Sequence, residues 1–346
     1  MKKIKIIPNE GISLKTVLQK ESSTNSEVDN PFYHVFKKLE KNYIILEENS
    51  NEKPDFVIHW GFVIDEIYKY RNSINIYLAF EPEIVDRNHS REKIRKYLRY
   101  YDYIMVWNED IIDNDRIFKM NYMYNFKDLN IKHLDFNELK LLVNISGNKH
   151  SKNSKELYSE RIKTIKYYEN KPKDFELYGI GWENEKYKNY KGIVDKKSSI
   201  YRKFKFALSL ENMNGRGYIT EKIFDCFVTG IVPVYSGGNE NYIPKNCYIN
   251  YFDFKTQEEL YNYLKNMKKE EWEEYRKNIQ KWLKSDKAKY FKEDYFINEL
   301  EKIFSKNKRI GNLLIVLKKI ENHFKSSENR KKTINLWKVY LKGLIK

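Results

Sequence analysis

One stretch, residues 205–254, constrains the architecture more than any other: KFALSLENMNGRGYITEKIFDCFVTGIVPVYSGGNENYIPKNCYINYFDF. Residues 206–210 are a short apolar run suited to a buried strand, closed by Glu211 and Asn212. A loop around Gly215 and Gly217 follows, and Thr220 is a natural N-cap for the next helix. That helix carries Ile223, Phe224, Phe227 and Val228 on one face, stops near Gly230 and leads into a strand over 231–235. The result is a strand–loop–helix–strand unit. Its polar loop lies at the strand's C-terminal end, where open α/β sheets bind ligands. Glu221 suits the positive end of the helix, whereas Lys222 opposes the macrodipole, at a cost of about a few tenths of a kcal/mol unless an anion sits nearby. A lysine beside a helix N-terminus therefore points to a phosphorylated ligand.

Four blocks in this stretch carry a family pattern. They are Leu210-Glu211-Asn212, the run Gly217-Tyr218-Ile219-Thr220-Glu221-Lys222-Ile223, then Gly230-Ile231-Val232-Pro233-Val234, and Tyr248-Ile249-Asn250-Tyr251-Phe252-Asp253-Phe254. In that order they resemble the donor-binding signature of the α-1,3-fucosyltransferases, glycosyltransferase family 10. The resemblance is clear over about fifty residues and looser elsewhere. It implies an α/β fold of GT-B type, in which two Rossmann-like domains face a cleft. It also implies an inverting transferase that moves fucose from GDP-fucose to a hydroxyl of a glycan acceptor.

The remaining chain is compatible with two such layers. A length of 346 residues suggests about two domains. Strand-like runs at 4–7, 43–46, 56–59, 75–80 and 103–107 alternate with helical stretches at 32–39 and 91–100. A polar connection over 127–137 separates them from further strands at 139–145 and 174–179, with a helix at about 154–169 between. Charged helices follow over 257–284 and 295–304. The expected organisation is an N-terminal acceptor-binding domain, 1–135, a nucleotide-sugar donor-binding domain, 136–304, and a basic amphipathic helical tail, 305–346.

Transfer from a nucleotide diphosphate sugar needs groups that hold the leaving diphosphate, deprotonate the acceptor hydroxyl and fix the sugar. Lys222 and the helix end beside it suit the first role. The resemblance carries a second phosphate contact to Arg161 in Tyr158-Ser159-Glu160-Arg161, although an arginine on a surface helix is ordinarily solvated. It carries donor contacts to Glu221, Tyr218 and Asn212, with loop shaping as the competing role for the last two. Glu211 is equally well read as an acceptor for loop amides. The family's base follows an N-terminal-domain strand. Here that place is Ala79-Phe80-Glu81-Pro82-Glu83, in which Glu81 is the better positioned and Glu83 competes.

No metal site is expected. The six histidines are scattered. Asp113-Asn114-Asp115 resembles a metal-binding Asp-x-Asp, but Arg116 would compete for its carboxylates. No cofactor beyond the GDP-fucose substrate is expected. Cys226 and Cys247 lie in apolar context without ligand or disulfide spacing, which favours a reducing compartment. No run approaches 18 apolar residues, so neither a membrane span nor a signal peptide is expected.

Of the +16 net charge, +10 falls after residue 304. There Ile334, Trp337, Leu341 and Leu344 recur at helical steps between lysines, suggesting attachment to an anionic membrane surface. A helix packed back on the protein is the alternative. Nucleic-acid binding lacks a supporting motif. The expected location is cytoplasmic, free or peripheral on the inner face of the cell membrane, in surface polysaccharide or lipopolysaccharide synthesis. Two rivals remain: the same machinery with another nucleotide-activated deoxyhexose, or a non-catalytic module binding nucleotides or anionic polymers.

Overall fold

The computed structural model describes residues 1–9, 12–21, 28–127, 134–238 and 241–310. Its first domain contains strands β1 (Lys2–Ile7), β2 (Tyr43–Ile45), β3 (Phe56–His59), β4 (Ile74–Ala79), β5 (Tyr103–Val106) and β6 (Ile117–Lys119). Helices α1 (Leu14–Leu18), α2 (Pro31–Leu39), α3 (Ile64–Lys69) and α4 (Arg91–Tyr97) connect them. The strands form one parallel sheet in the order β2-β1-β3-β4-β5-β6. Every residue of β3, β4 and β5 is buried, as expected for a parallel sheet covered on both faces. Along β4, Ile74, Ile76 and Leu78 face the α2 side, while Tyr77 and Ala79 face α3 and α4.

The second domain contains β7 (Lys140–Ile145), β8 (Phe175–Tyr178), β9 (Phe204–Leu210), β10 (Val232–Ser236) and β11 (Ile249–Asn250). Helices α5 (Tyr158–Tyr167), α6 (Lys197–Tyr201), α7 (Glu221–Thr229), α8 (Gln257–Asn266) and α9 (Lys269–Leu283) accompany them. This sheet is also parallel, ordered β11-β10-β9-β7-β8. The chain leaves β7 for β8 on one side and later returns to β9 on the other. That reversal opens a crevice at the C-terminal ends of β7 and β9.

The final described helix, α10 (Glu293–Lys306), corrects the expected boundary that placed residues 136–304 together. Its Phe296, Leu300, Ile303 and Phe304 enter the core of the first sheet, and Phe304 stacks on Phe56 at 4.1 Å between ring centres. Helices α3 and α4 cover the opposite face, so the face carrying Ile4, Phe56 and Phe118 depends on α2 and α10. The chain stays tied there beyond the helix. Tyr103 Oη donates to the Lys308 carbonyl at 2.9 Å, and Ile310 N–H donates to Asp102 Oδ1 at 2.6 Å. Most of the expected tail, residues 311–346, lies outside the described residues.

Two local expectations also change. Helix α5 begins at Tyr158 rather than near 154, because the preceding segment pairs with the loop after β9. Leu157 N–H donates to the Asn212 carbonyl at 2.9 Å, while the Glu156 carboxylate accepts the Tyr158 and Ser159 N–H groups. The Arg116 guanidinium donates to the carbonyls of Leu98, Tyr101 and Asp102, and it is the Arg116 backbone N–H that donates to Asp113.

Candidate active site

The crevice is a cavity of about 410 Å³ between the domains. Helix α7 supplies its floor. Thr220 caps the helix, and its Oγ1 and N–H both donate to Glu211, at 2.7 and 2.8 Å. Glu211 is fully buried and also accepts from Tyr235 Oη at 3.2 Å. It therefore acts as the anchor of the signature loop. The loop itself folds against backbone. Gly217 has φ +84°, and a Cβ on Gly238 would lie 1.6 Å from the Gly215 carbonyl oxygen, so neither position tolerates a side chain.

Lys222 extends from this helix end. Its Nζ lies 3.4 Å from both Glu211 and Glu221 and 3.1 Å from Thr220 Oγ1. Burial disfavours its charge, but the two carboxylates outweigh that and raise its pKa above the ordinary range. Glu221 is likewise pushed up by burial, yet Lys222 and Lys197 hold it down to about 2. Both side chains are therefore ionised at neutral pH.

Arg161 from α5 is not a solvated surface group. It is 4% exposed and lines the crevice, with Nη2 donating to the carbonyls of Leu210 and Glu211 at 2.8 and 3.0 Å. Its Nε is buried without a hydrogen-bond partner. Asn212 and Tyr218 also line the wall. The Tyr218 ring is wedged against Trp107 and Tyr122 of the first domain, with ring centres 4.9 and 5.8 Å away.

The first domain contributes Glu81, Val85 and Tyr122. Glu81 lies one residue past Phe80 at the end of β4, close enough to Lys222, Glu221 and Lys149 for each to affect its ionisation. Burial raises its pKa most, Lys222 opposes this and Glu221 reinforces it. Glu83 instead accepts from Asn153 Nδ2 at 2.8 Å across the domain boundary. The cleft thus brings together all six expected residues: Glu81, Arg161, Asn212, Tyr218, Glu221 and Lys222.

It also includes groups the sequence did not single out. Lys197 sits 2.6 Å from Asp225, which accepts from Tyr124 Oη at 2.7 Å, and it supports the charge of Glu221. Lys149 reaches the same cavity from the loop after β7. In a chain this rich in lysine, neither stands out by composition. Asp113 is occupied as a turn acceptor for the N–H groups of Asp115, Arg116 and Ile117. Among the described residues no group of three or more His, Cys, Asp or Glu is arranged to hold a metal.

Two parallel-sheet domains facing a cleft, with cations at a helix N-terminus on one wall and a carboxylate on the other, define a GT-B glycosyltransferase architecture. The chain belongs to glycosyltransferase family 10 (fucosyltransferase), whose C-terminal domain matches residues 141–313. Mouse 4-galactosyl-N-acetylglucosaminide 3-alpha-L-fucosyltransferase 9 is 38% identical over 109 residues, 30% of this chain and 29% of that protein. Helicobacter pylori alpha-(1,3)-fucosyltransferase FucT is 36% identical over 75 residues, 21% of this chain and 16% of its own. These curated relatives are thus matched over less than a third of their length. A solved α1,3-fucosyltransferase shares the fold with a TM-score of 0.57 at 16% identity, over 88% of this chain and 90% of its own. An α-glucosyltransferase in complex with UDP gives a TM-score of 0.56 at 12% identity, over 88% and 99%.

Proposed function

We propose that this chain is an inverting fucosyltransferase that uses GDP-fucose without a metal. The observation that carries this reading is that Glu81 from the first domain lines the same cavity as Lys222 and Arg161 from the second. The acceptor oxygen attacks the anomeric carbon as its proton passes to Glu81. The bond from that carbon to the diphosphate breaks, and its electron pair leaves with GDP. Lys222, Arg161 and the N-terminus of α7 stabilise the charge that develops on the diphosphate. Glu221 accepts hydrogen bonds from donor hydroxyls, with Tyr218 and Asn212 beside it. A base on the face opposite the leaving group gives inversion in a single displacement.

GDP-fucose as donor is supported by a solved α1,3-fucosyltransferase with GDP-fucose, which shares the fold at a TM-score of 0.52. The relative named for 4-galactosyl-N-acetylglucosaminide supplies a first acceptor to try. The proposed setting is surface polysaccharide or lipopolysaccharide assembly on a cytoplasmic membrane face.

Calorimetric binding of GDP, UDP, CDP and dTDP tests the donor site. GDP should bind best, and Lys222→Ala should weaken it about 10- to 100-fold, the loss of a charged hydrogen bond. A preference for another nucleotide would overturn the fucose assignment and leave the site. Failure of all four to bind would overturn the transferase reading.

A further inference from the structure

The Glu81 backbone is held in an unusual way. Beyond β4 no ladder fixes this peptide, and Pro82 brings no N–H to the next position. Side chains supply the missing donors. The Glu81 carbonyl accepts from His89 Nδ1 at 2.7 Å and from Trp107 Nε1 at 3.4 Å. One residue earlier, the Phe80 carbonyl accepts from Tyr122 Oη at 2.8 Å. Three separate segments thus converge on two consecutive carbonyls.

The hydrogen on His89 is fixed by its partners. A carbonyl only accepts, so Nδ1 carries the proton, and Nε2 accepts from Tyr77 Oη at 2.9 Å. The imidazole is 5% exposed and meets the Tyr77 ring edge-on at 5.7 Å. A turn over 82–86 followed by the 3-10 segment Arg87–His89 brings the ring back beneath Glu81. Asp86, 3.6 Å from Nε2, favours the charged ring, but burial outweighs it and lowers the pKa, so the neutral form persists.

We propose that His89, seconded by Tyr122, is a positioning residue that aims the Glu81 carboxylate at the acceptor hydroxyl through the Glu81 backbone. This rests on the assignment of Glu81 as the base. Its logic is geometric. The residue before a proline is confined to extended backbone, so fixing its carbonyl leaves the side chain few directions. A displacement of about 1 Å in such a group can cost on the order of 100-fold in rate.

The experiment measures turnover of GDP-fucose, with a 4-galactosyl-N-acetylglucosaminide as probe acceptor and with water alone, alongside GDP calorimetry. His89→Asn places an amide N–H where Nδ1 stood and should keep kcat within about threefold. His89→Gln, whose amide reaches the Nε2 position instead, and His89→Phe should lose about 10- to 100-fold in kcat with GDP affinity unchanged. Asn and Gln variants that fall alike, or that both match the wild type, overturn the inference. Should the Gln and Phe variants not fold, Tyr122→Phe takes their place. It should lower kcat with GDP affinity kept, and wild-type turnover overturns the inference. Glu81→Gln separates the two levels. If it turns over normally, the base assignment itself fails; if it is inactive while the His89 pattern is absent, only the positioning role fails. A wild type that turns over neither probe overturns both.

Discussion

At the scale of single residues, Glu81 sits where its charged form is disfavoured. Burial raises its pKa above the ordinary carboxylate value, with Lys222 opposing and Glu221 adding to the effect. A base must be ionised, so kcat/KM should fall as pH drops through this raised value, and Glu81→Gln should lower kcat about 10²- to 10⁴-fold. The same shift has a stability consequence. With a folded pKa above the unfolded one, the native state binds more protons between the two, and stability declines as pH rises through that window. Glu81→Gln should therefore melt at a higher temperature than wild type near pH 7, with the gap closing below the unfolded pKa. Thermal unfolding at several pH values checks this; a lower Tm for the variant at neutral pH would show that the carboxylate is stabilising. The sequence favoured Glu81 as the base but left Glu83 in competition, because residues two apart near a strand end point alike. What divides them is Asn153, 70 residues away, which engages Glu83.

At the scale of elements, α7 was readable because its signals are local: the Thr220 cap, the apolar face and Gly230, which adopts φ +73° at the C-cap. The sequence could not reveal that Thr220 also satisfies both oxygens of a buried glutamate nine residues earlier. Thr220→Ala removes the hydroxyl and leaves one oxygen of Glu211 without that donor, which should cost about 1–3 kcal/mol. Thr220→Ser should retain most of it. Urea denaturation reads the difference as a lower midpoint at constant slope; equal midpoints would mean that the hydroxyl contributes nothing to the anchor. The start of α5 was misjudged for the converse reason. Its boundary is set by pairing with residues 212–213, a contact between segments that local propensity does not encode.

At the scale of the whole molecule, the alternation of strands and helices is compatible with two α/β layers, and the cleft between them follows from the family resemblance. That alternation does not reveal the pairing of α10 with the first sheet. Its apolar stripe of Phe296, Leu300, Ile303 and Phe304 would suit either domain, and only the uncovered face around Phe56 selects the first. Leu300→Ala should cost about 2–5 kcal/mol and destabilise the N-terminal domain, though the residue lies far from it in sequence. Chemical denaturation followed by hydrogen exchange of the β3 and β4 amides would localise the loss; an effect confined to β7–β11 would contradict the packing.

That return of the chain bears on how the protein is born. The last strand of the first sheet ends at Lys119, but the helix that covers its apolar face ends at Lys306. At about 5–20 residues per second, a nascent chain would carry an incompletely covered sheet for on the order of ten to forty seconds. The second domain, whose sheet is complete with Asn250, can fold during that wait. The domain synthesised first is therefore finished last, and its exposed face is the surface a cellular chaperone would meet.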